Sequence, residues 1–154
     1  FGDTPWPNSG EIDIAEGLAG NSVVQSTLHG NYDGTTTDWN GGAGLTLYAP
    51  LSNISDGWHT WAMLWKPNMI AFTLDGVEYG RNTVVGNKIV QTVNGIDVNT
   101  FDAGGVWPFN QPFFLLIDNA IPPGTPNPAN GTTSTMLIDW IHYSQYEGFG
   151  TVFQ

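Results

Sequence analysis

Trp58-His59-Thr60-Trp61-Ala62-Met63-Leu64-Trp65-Lys66, Pro67-Asn68, Met69-Ile70-Ala71-Phe72-Thr73-Leu74, Asp75-Gly76 and Val77-Glu78-Tyr79 follow one another without a break. This stretch decides the fold class. Two runs rich in aromatic and branched residues are separated by two-residue turn signals, and Asp-Gly between such runs marks a tight hairpin. In residues 58–66 both alternating sets of side chains are largely apolar, so this strand is expected to be buried on both faces. Downstream, the sequence predicts short strands at 84–85 and 88–93, turns at Asn94-Gly95 and Gly104-Gly105, an apolar run over 112–120 interrupted by Asp118, and a last central strand over 135–143. Residues 81–111 are otherwise poorly readable, and 122–133 reads as a loop. Upstream, strands are predicted at 10–17 and 23–29 with Gly20-Asn21 turning between them. The stretch 30–53 is polar and holds a short strand at 44–49. Twenty Gly and ten Pro punctuate these runs, and no window carries a sustained helical period. The pattern is that of an all-β sandwich or barrel, and 154 residues fit a single domain able to bury a core.

Charge narrows the partners. Fourteen acids stand against Lys66, Arg81 and Lys88, a net charge of −11. Three cations cannot build the basic patch that a nucleic acid requires, and an acidic surface repels polyanionic substrates and anionic membranes. No apolar run is long enough to span a bilayer as a helix. A neutral partner fits best. The chain has no Cys, which removes disulfides and thiolate chemistry but leaves secretion open.

Within residues 10–17, Glu11, Asp13 and Glu16 are set among apolar neighbours. In a regular strand Glu11 and Asp13 share a face and Glu16 points to the other. One extra residue, a β-bulge near Ile14-Ala15, would return Glu16 to the acidic face. Three carboxylates side by side repel one another, and such crowding is a means of keeping a general acid protonated near neutral pH. Retaining glycosidases need two carboxyl groups about 5–5.5 Å apart. Two other readings stay open on the residues alone: a solvated acidic edge strand, and a calcium site.

Trp6-Pro7-Asn8-Ser9-Gly10-Glu11-Ile12-Asp13-Ile14-Ala15-Glu16 resembles the signature of glycoside hydrolase family 16, in the bulged form with two residues between the Asp and the second Glu found in its laminarinase-type branch. Further segments follow in the family's order: Ser26-Thr27-Leu28-His29-Gly30, Gly57-Trp58-His59-Thr60-Trp61 to Trp65-Lys66-Pro67, Phe72-Thr73-Leu74-Asp75-Gly76, Gln111-Pro112-Phe113-Phe114-Leu115-Leu116-Ile117, and Thr135-Met136-Leu137-Ile138-Asp139-Trp140-Ile141. The resemblance implies a concanavalin A-like β-jelly-roll sandwich of two antiparallel sheets. It also implies a secreted retaining endo-β-glucanase that hydrolyses β-1,3- or mixed β-1,3/1,4-glucan by double displacement. Glu11 would be the nucleophile and Glu16 the acid/base. Asp13 would sit between them and hold Glu11 through a shared proton. His29 would hydrogen-bond an acidic side chain from the adjacent strand. Trp6 would line the sugar cleft, with Trp39 and Trp107 as weaker cleft candidates, while His59 and the tryptophans at 61 and 65 belong to the core. No cofactor is required for catalysis. Asp139 matches a position that helps bind a structural calcium ion.

Two departures qualify this. Pro122-Pro123 stands where the family often has Gly-Gly beside the cleft. The chain also reaches Glu11 after ten residues, where family members carry a long preceding segment. Residues 1–154 are therefore expected to be one partial catalytic domain lacking its N-terminal strands, completed by a complementary segment. Two alternatives stay open: a non-catalytic β-glucan-binding module, and a lectin-like assembly subunit.

Overall fold

The computed structural model describes residues 4–17, 23–31, 37–51, 53, 57–121, 126, 128–148 and 150. The predicted turn at Gly20-Asn21 and the Pro122-Pro123 pair lie outside the described residues. The chain divides into two compact units, residues 1–112 and 113–154.

Among the described residues, the first unit holds all the regular strands, in two antiparallel sheets. One sheet has the order β1-β2-β3, from β1 (Glu11–Gly17), β2 (Val24–His29) and β3 (Leu45–Tyr48). Between β2 and β3 lies one short helical turn, α1 (Trp39–Gly42), in which Asn40 and Gly41 already leave helical geometry. The other sheet is a meander of β4 (Trp61–Lys66), β5 (Met69–Leu74), β6 (Val77–Val85), β7 (Lys88–Val93) and β8 (Ile96–Asp102). The hairpin residues Asp75 and Asn94 both adopt positive φ, 51° and 49°. Short polar side chains tolerate that conformation, and two-residue hairpin turns require it.

The all-β expectation holds, with two antiparallel sheets. The core lies between them. Val24, Ser26 and Leu28 of β2 and Leu45 and Leu47 of β3 are buried from one side. Ile70 and Phe72 of β5 and Asn82 of β6 are buried from the other. Gly80 of β6 lets the sheets approach closely, because a Cβ there would sit 2.7 Å from Leu47 Cδ2. Buried Gln91 links the sheets: its Nε2 donates to the Thr46 carbonyl at 3.1 Å and to Asn82 Oδ1 at 3.3 Å.

Three local expectations change. The strand predicted over 58–66 begins only at Trp61; Trp58 is exposed, and Thr60 N instead donates to the Asp75 side chain at 2.9 Å. Its residues are only part-buried, not enclosed on both faces. Residues 81–111 contain the second half of the longest strand, β6, and a full extra strand, β8, whose residues are nearly all exposed. Ile96, Val98 and Thr100 alternate with Asp97 and Asn99, so a strand signal is present in β8 although neither face is buried.

The second unit departs most. Neither 112–120 nor 135–143 forms a strand. A strand is defined by its ladder, and the described residues there make none. Asn119 Nδ2 and Ser134 Oγ meet at 3.2 Å, linking the two runs at one point. Phe114, Leu115, Leu116, Leu137, Trp140 and Ile141 are exposed.

Candidate active site

The pairing of β1 with β2 sets the geometry. Glu11 lies opposite His29, Asp13 opposite Thr27, and Glu16 opposite Gln25. Two residues lie between Asp13 and Glu16, but only one lies between Thr27 and Gln25. One residue of β1 is extra, and the register shifts at the place the spacing demands. Residues 25, 27 and 29 of β2 share one face because side chains alternate. Their partners Glu11, Asp13 and Glu16 therefore share it too. Thr46 and Tyr48 of β3 extend the rows, opposite Thr27 and Gln25.

The bulge is held from behind. Ser26 Oγ donates to the Ile14 carbonyl at 2.5 Å and pairs with the Tyr79 hydroxyl. Tyr79 is itself the extra residue where β6 shifts register against β5: Thr73 faces Glu78, but Phe72 faces Gly80. That second bulge turns Tyr79 inward, where it stacks on Phe72 with ring centroids 6.5 Å apart. Burial raises the Tyr79 pKa, the Ser26 contact opposing it, so the hydroxyl remains a neutral partner for Ser26. A bulge in one sheet is thus latched to a bulge in the other.

In front, each acid has a defined neighbour. Trp6 Nε1 donates to Glu11 Oε2 at 2.6 Å, and its ring is 52% exposed beside His29, centroids 5.7 Å apart. The turn carrying Trp6 is closed by Gly10 N to the Pro7 carbonyl at 2.9 Å and tied down by Gln111 Nε2 to the Ser9 carbonyl at 2.8 Å. Gln25 Nε2 donates to Glu16 Oε2 at 3.1 Å. His29 Nε2 lies 3.0 Å from Asp13 Oδ2.

The other side of His29 was not visible in the sequence. Its Nδ1 lies 2.5 Å from Asp38 Oδ2. The Asp38 side chain is 1% exposed, and its Oδ1 accepts from the backbone N–H groups of Gly30 and Trp39, both at 2.8 Å. Gly44 leaves room for this arrangement: its φ is +67°, and a Cβ there would meet His29 Nδ1 at 2.8 Å. Burial opposes a charge on His29, but hydrogen bonds and charges from Asp13 and Asp38 outweigh it and lift its pKa to about 9. At neutral pH His29 is an imidazolium that donates to a carboxylate on each side.

The remaining site expectations fare differently. Trp39 is 1% exposed, packed against Trp107 and edge-on to Phe109. It is a core residue with no face to offer a sugar, which corrects its assignment to the cleft. Trp107 is half-buried in the same cluster, yet it also lines a shallow depression with Thr4, Asn8, Val106, Pro108, Asn110 and Gln111. His59 is only part-buried and pairs with Asp75 Oδ2 at 2.9 Å. Asp139 is exposed in the second unit, and among the described residues no three His, Cys, Asp or Glu side chains gather as a metal site. Sequence reading missed Tyr48, which is 66% exposed at the end of the row Glu16, Gln25, Tyr48. Its apolar-polar alternation with Leu45 and Leu47 was the available signal.

The family profile described as Glycosyl hydrolases family 16 matches residues 2–142. The chain belongs to glycosyl hydrolase family 16. A keratan-sulfate endo-1,4-beta-galactosidase from Sphingobacterium multivorum is 31% identical to this family 16 chain over 139 residues, covering 88% of the chain and 28% of that protein. The chain therefore spans just over a quarter of the length of that relative. No solved structure matches it.

Proposed function

We propose that this family 16 chain carries the catalytic strand of a retaining endo-β-glucanase, acting on β-1,3- or mixed β-1,3/1,4-glucan. One observation carries the reading. The bulge between Asp13 and Glu16 puts Glu11, Asp13 and Glu16 on one face, opposite His29, Thr27 and Gln25. In this reading Glu11 attacks the anomeric carbon while Glu16 gives its proton to the departing glycosidic oxygen. Water then attacks the same carbon, Glu16 takes the water's proton, and Glu11 leaves as the carboxylate. Asp13 lies between the two. The glutamates pair across four steps of β2, roughly 13 Å between Cα atoms, so in this reading their side chains have to lean together to reach the ~5–5.5 Å of a retaining pair. Trp6, exposed and fixed to Glu11, offers an aromatic face for a pyranose ring.

The charge supports a neutral glycan. Arg81 is engaged by Glu78 at 2.6 and 2.7 Å, and Lys88 pairs with Asp102 at 3.3 Å. Against a net charge of −11 they leave little to attract a sulfated chain. A polymer substrate of this kind is met outside the cell, which is where this reading would put the protein. The 31% identity favours a second reading, an endo-β-galactosidase with the same chemistry.

The test is Glu11→Gln with reducing-sugar release from laminarin, lichenan and keratan sulfate. Loss of about 10³-fold or more is expected for a residue the chemistry runs through. Full activity in that variant overturns the assignment. Proton NMR of the first product is expected to show the β-anomer; an α-anomer overturns double displacement. Faster release from keratan sulfate than from either glucan selects the second reading.

A further inference from the structure

We propose that Asp38 is a positioning residue for this site, acting on Asp13 through His29: it fixes the imidazole so that Nε2–H is presented to Asp13, on the row between Glu11 and Glu16. The inference rests on the hydrolase reading for its effect on turnover, and on geometry for the rest.

Asp38 is built to stay where it is. Both of its carboxylate oxygens are used. One takes the backbone N–H groups of Gly30 and Trp39, and the other takes His29 Nδ1. Trp39 N also donates to the Gly30 carbonyl at 2.8 Å, so residues 30 and 39 are stapled together at the neck of the intervening loop. Trp39 is anchored in turn by the Trp107–Phe109 cluster. A buried carboxylate without such partners would be costly; with them it is a rigid acceptor. A neutral His29 could present either nitrogen as a lone pair. Asp38 demands a proton on Nδ1, and Asp13 demands one on Nε2.

The groups facing His29 are few. β1 contributes Asp13 and the cross-strand Glu11, the segment before α1 contributes Asp38, and the approach to β3 contributes Gly44. Trp6 packs its ring alongside. The two carboxylates in contact both favour the charged imidazole, and Asp38 is the more buried of them. Asp38 stands 25 positions beyond Asp13 in a polar loop, with no motif to announce it.

Asp38→Asn tests this without removing the clamp, since the amide oxygen still accepts from Gly30 and Trp39 while the charge is lost. His29 is followed by NMR titration, first in the unaltered protein, where a midpoint near 9 is expected. In the variant the midpoint is expected to fall by about one to three pH units. The alkaline limb of kcat should move down with it, and kcat should drop by up to roughly 10²-fold with KM little changed. An ordinary His29 midpoint near 6.5 in the unaltered protein overturns the proposal even if the variant does not fold. So does a variant whose titration and pH limb both stay in place. If Glu11→Gln abolishes turnover while the Asp38→Asn profile is unmoved, the role of Asp38 falls and the hydrolase reading stands. If Glu11→Gln is fully active, the hydrolase reading falls and the His29 titration still decides the geometry.

Discussion

Residues 11–17 and 113–121 make an instructive pair. The first, Glu-Ile-Asp-Ile-Ala-Glu-Gly, carries three acids in seven residues and pays an electrostatic penalty for it. The second, Phe-Phe-Leu-Leu-Ile-Asp-Asn-Ala-Ile, has one acid and the better strand composition. Yet the first is a strand and the second is not. The difference is the neighbour. β2 offers residues 11–17 a backbone ladder, a buried face at Val24, Ser26 and Leu28, and polar partners at Gln25 and His29. Residues 113–121 meet no ladder among the described residues, so their side chains stand exposed. Strand propensity is largely a statement about packing context, and here the context outweighs composition.

The largest expected effect comes from moving one carboxylate. Exchanging Ala15 and Glu16 (Ala15→Glu with Glu16→Ala) takes the carboxylate off the row that faces Gln25. Turnover is expected to fall by roughly 10²–10⁴-fold, the range for loss of a general acid. Deleting Ala15 is the counter-experiment. Glu11, Asp13 and Glu16 would then alternate regularly and stay on one face, so most of the activity lost in the exchange should be retained. Equal losses in the two variants would show that the bulge itself, and not the shared face, is what matters.

The odd spacing of Asp13 and Glu16 is why the site was legible at all. A bulge changes the count along one strand only, and a count can be read from sequence. The Asp75-Gly76 hairpin was legible for the same kind of reason, because a positive φ demands particular residue types. What could not be read was set at a distance. Asp38 reaches His29 by the fold of a loop, and Tyr79 reaches Ser26 from the other sheet, 53 positions away. Trp39 misled because an aromatic residue in a polar stretch looks like a ligand platform, whereas its neighbours Trp107 and Phe109 arrive from far along the chain. β8 escaped although Ile96 and Val98 alternate with Asp97 and Asn99, because so short an alternation beside the Asn94-Gly95 turn is a weak signal.

The next effect is a matter of packing. Leu28 is fully buried on the inner face of β2, so Leu28→Ala is expected to cost about 2–5 kcal/mol in urea unfolding. Ser26→Ala, two residues away, removes a smaller group. It leaves the Ile14 carbonyl and the Tyr79 hydroxyl without their partner, a cost of about 1–3 kcal/mol. If the latch positions the bulge, this variant should also lose turnover with little change in KM, whereas Tyr79→Phe should recover part of the stability by removing the stranded hydroxyl.

His29 gives the acidic strand a pH signature. Its folded pKa of about 9 lies above the ordinary 6.5, so between those values the folded protein holds a proton that the unfolded chain does not. Its contribution to stability is fully present below about pH 6.5 and is lost as pH rises through about 9. One proton sets the slope at no more than about 1.4 kcal/mol per pH unit. Denaturation midpoints at pH 6, 8 and 10 measure it, and His29→Gln should flatten the curve over that window. A curve equally steep in the variant would assign the slope to another group.

The smallest expected effect tests the other member of the pair. Leu116 is 72% exposed, and exposed substitutions away from special features usually change stability by within about 0.5 kcal/mol. Leu116→Ala should therefore be nearly silent in the same unfolding experiment that registers Leu28→Ala. A cost as large as that at Leu28 would mean that residues 113–121 bury this face against a partner in solution, and that the run's composition was reporting a ladder after all. A small cost, together with fast amide exchange through 113–121 and slow exchange through β2, would establish that composition alone does not make this run a strand. The two residues are both leucine, one buried on the inner face of β2 and one exposed, so the comparison reads what a packed neighbour contributes.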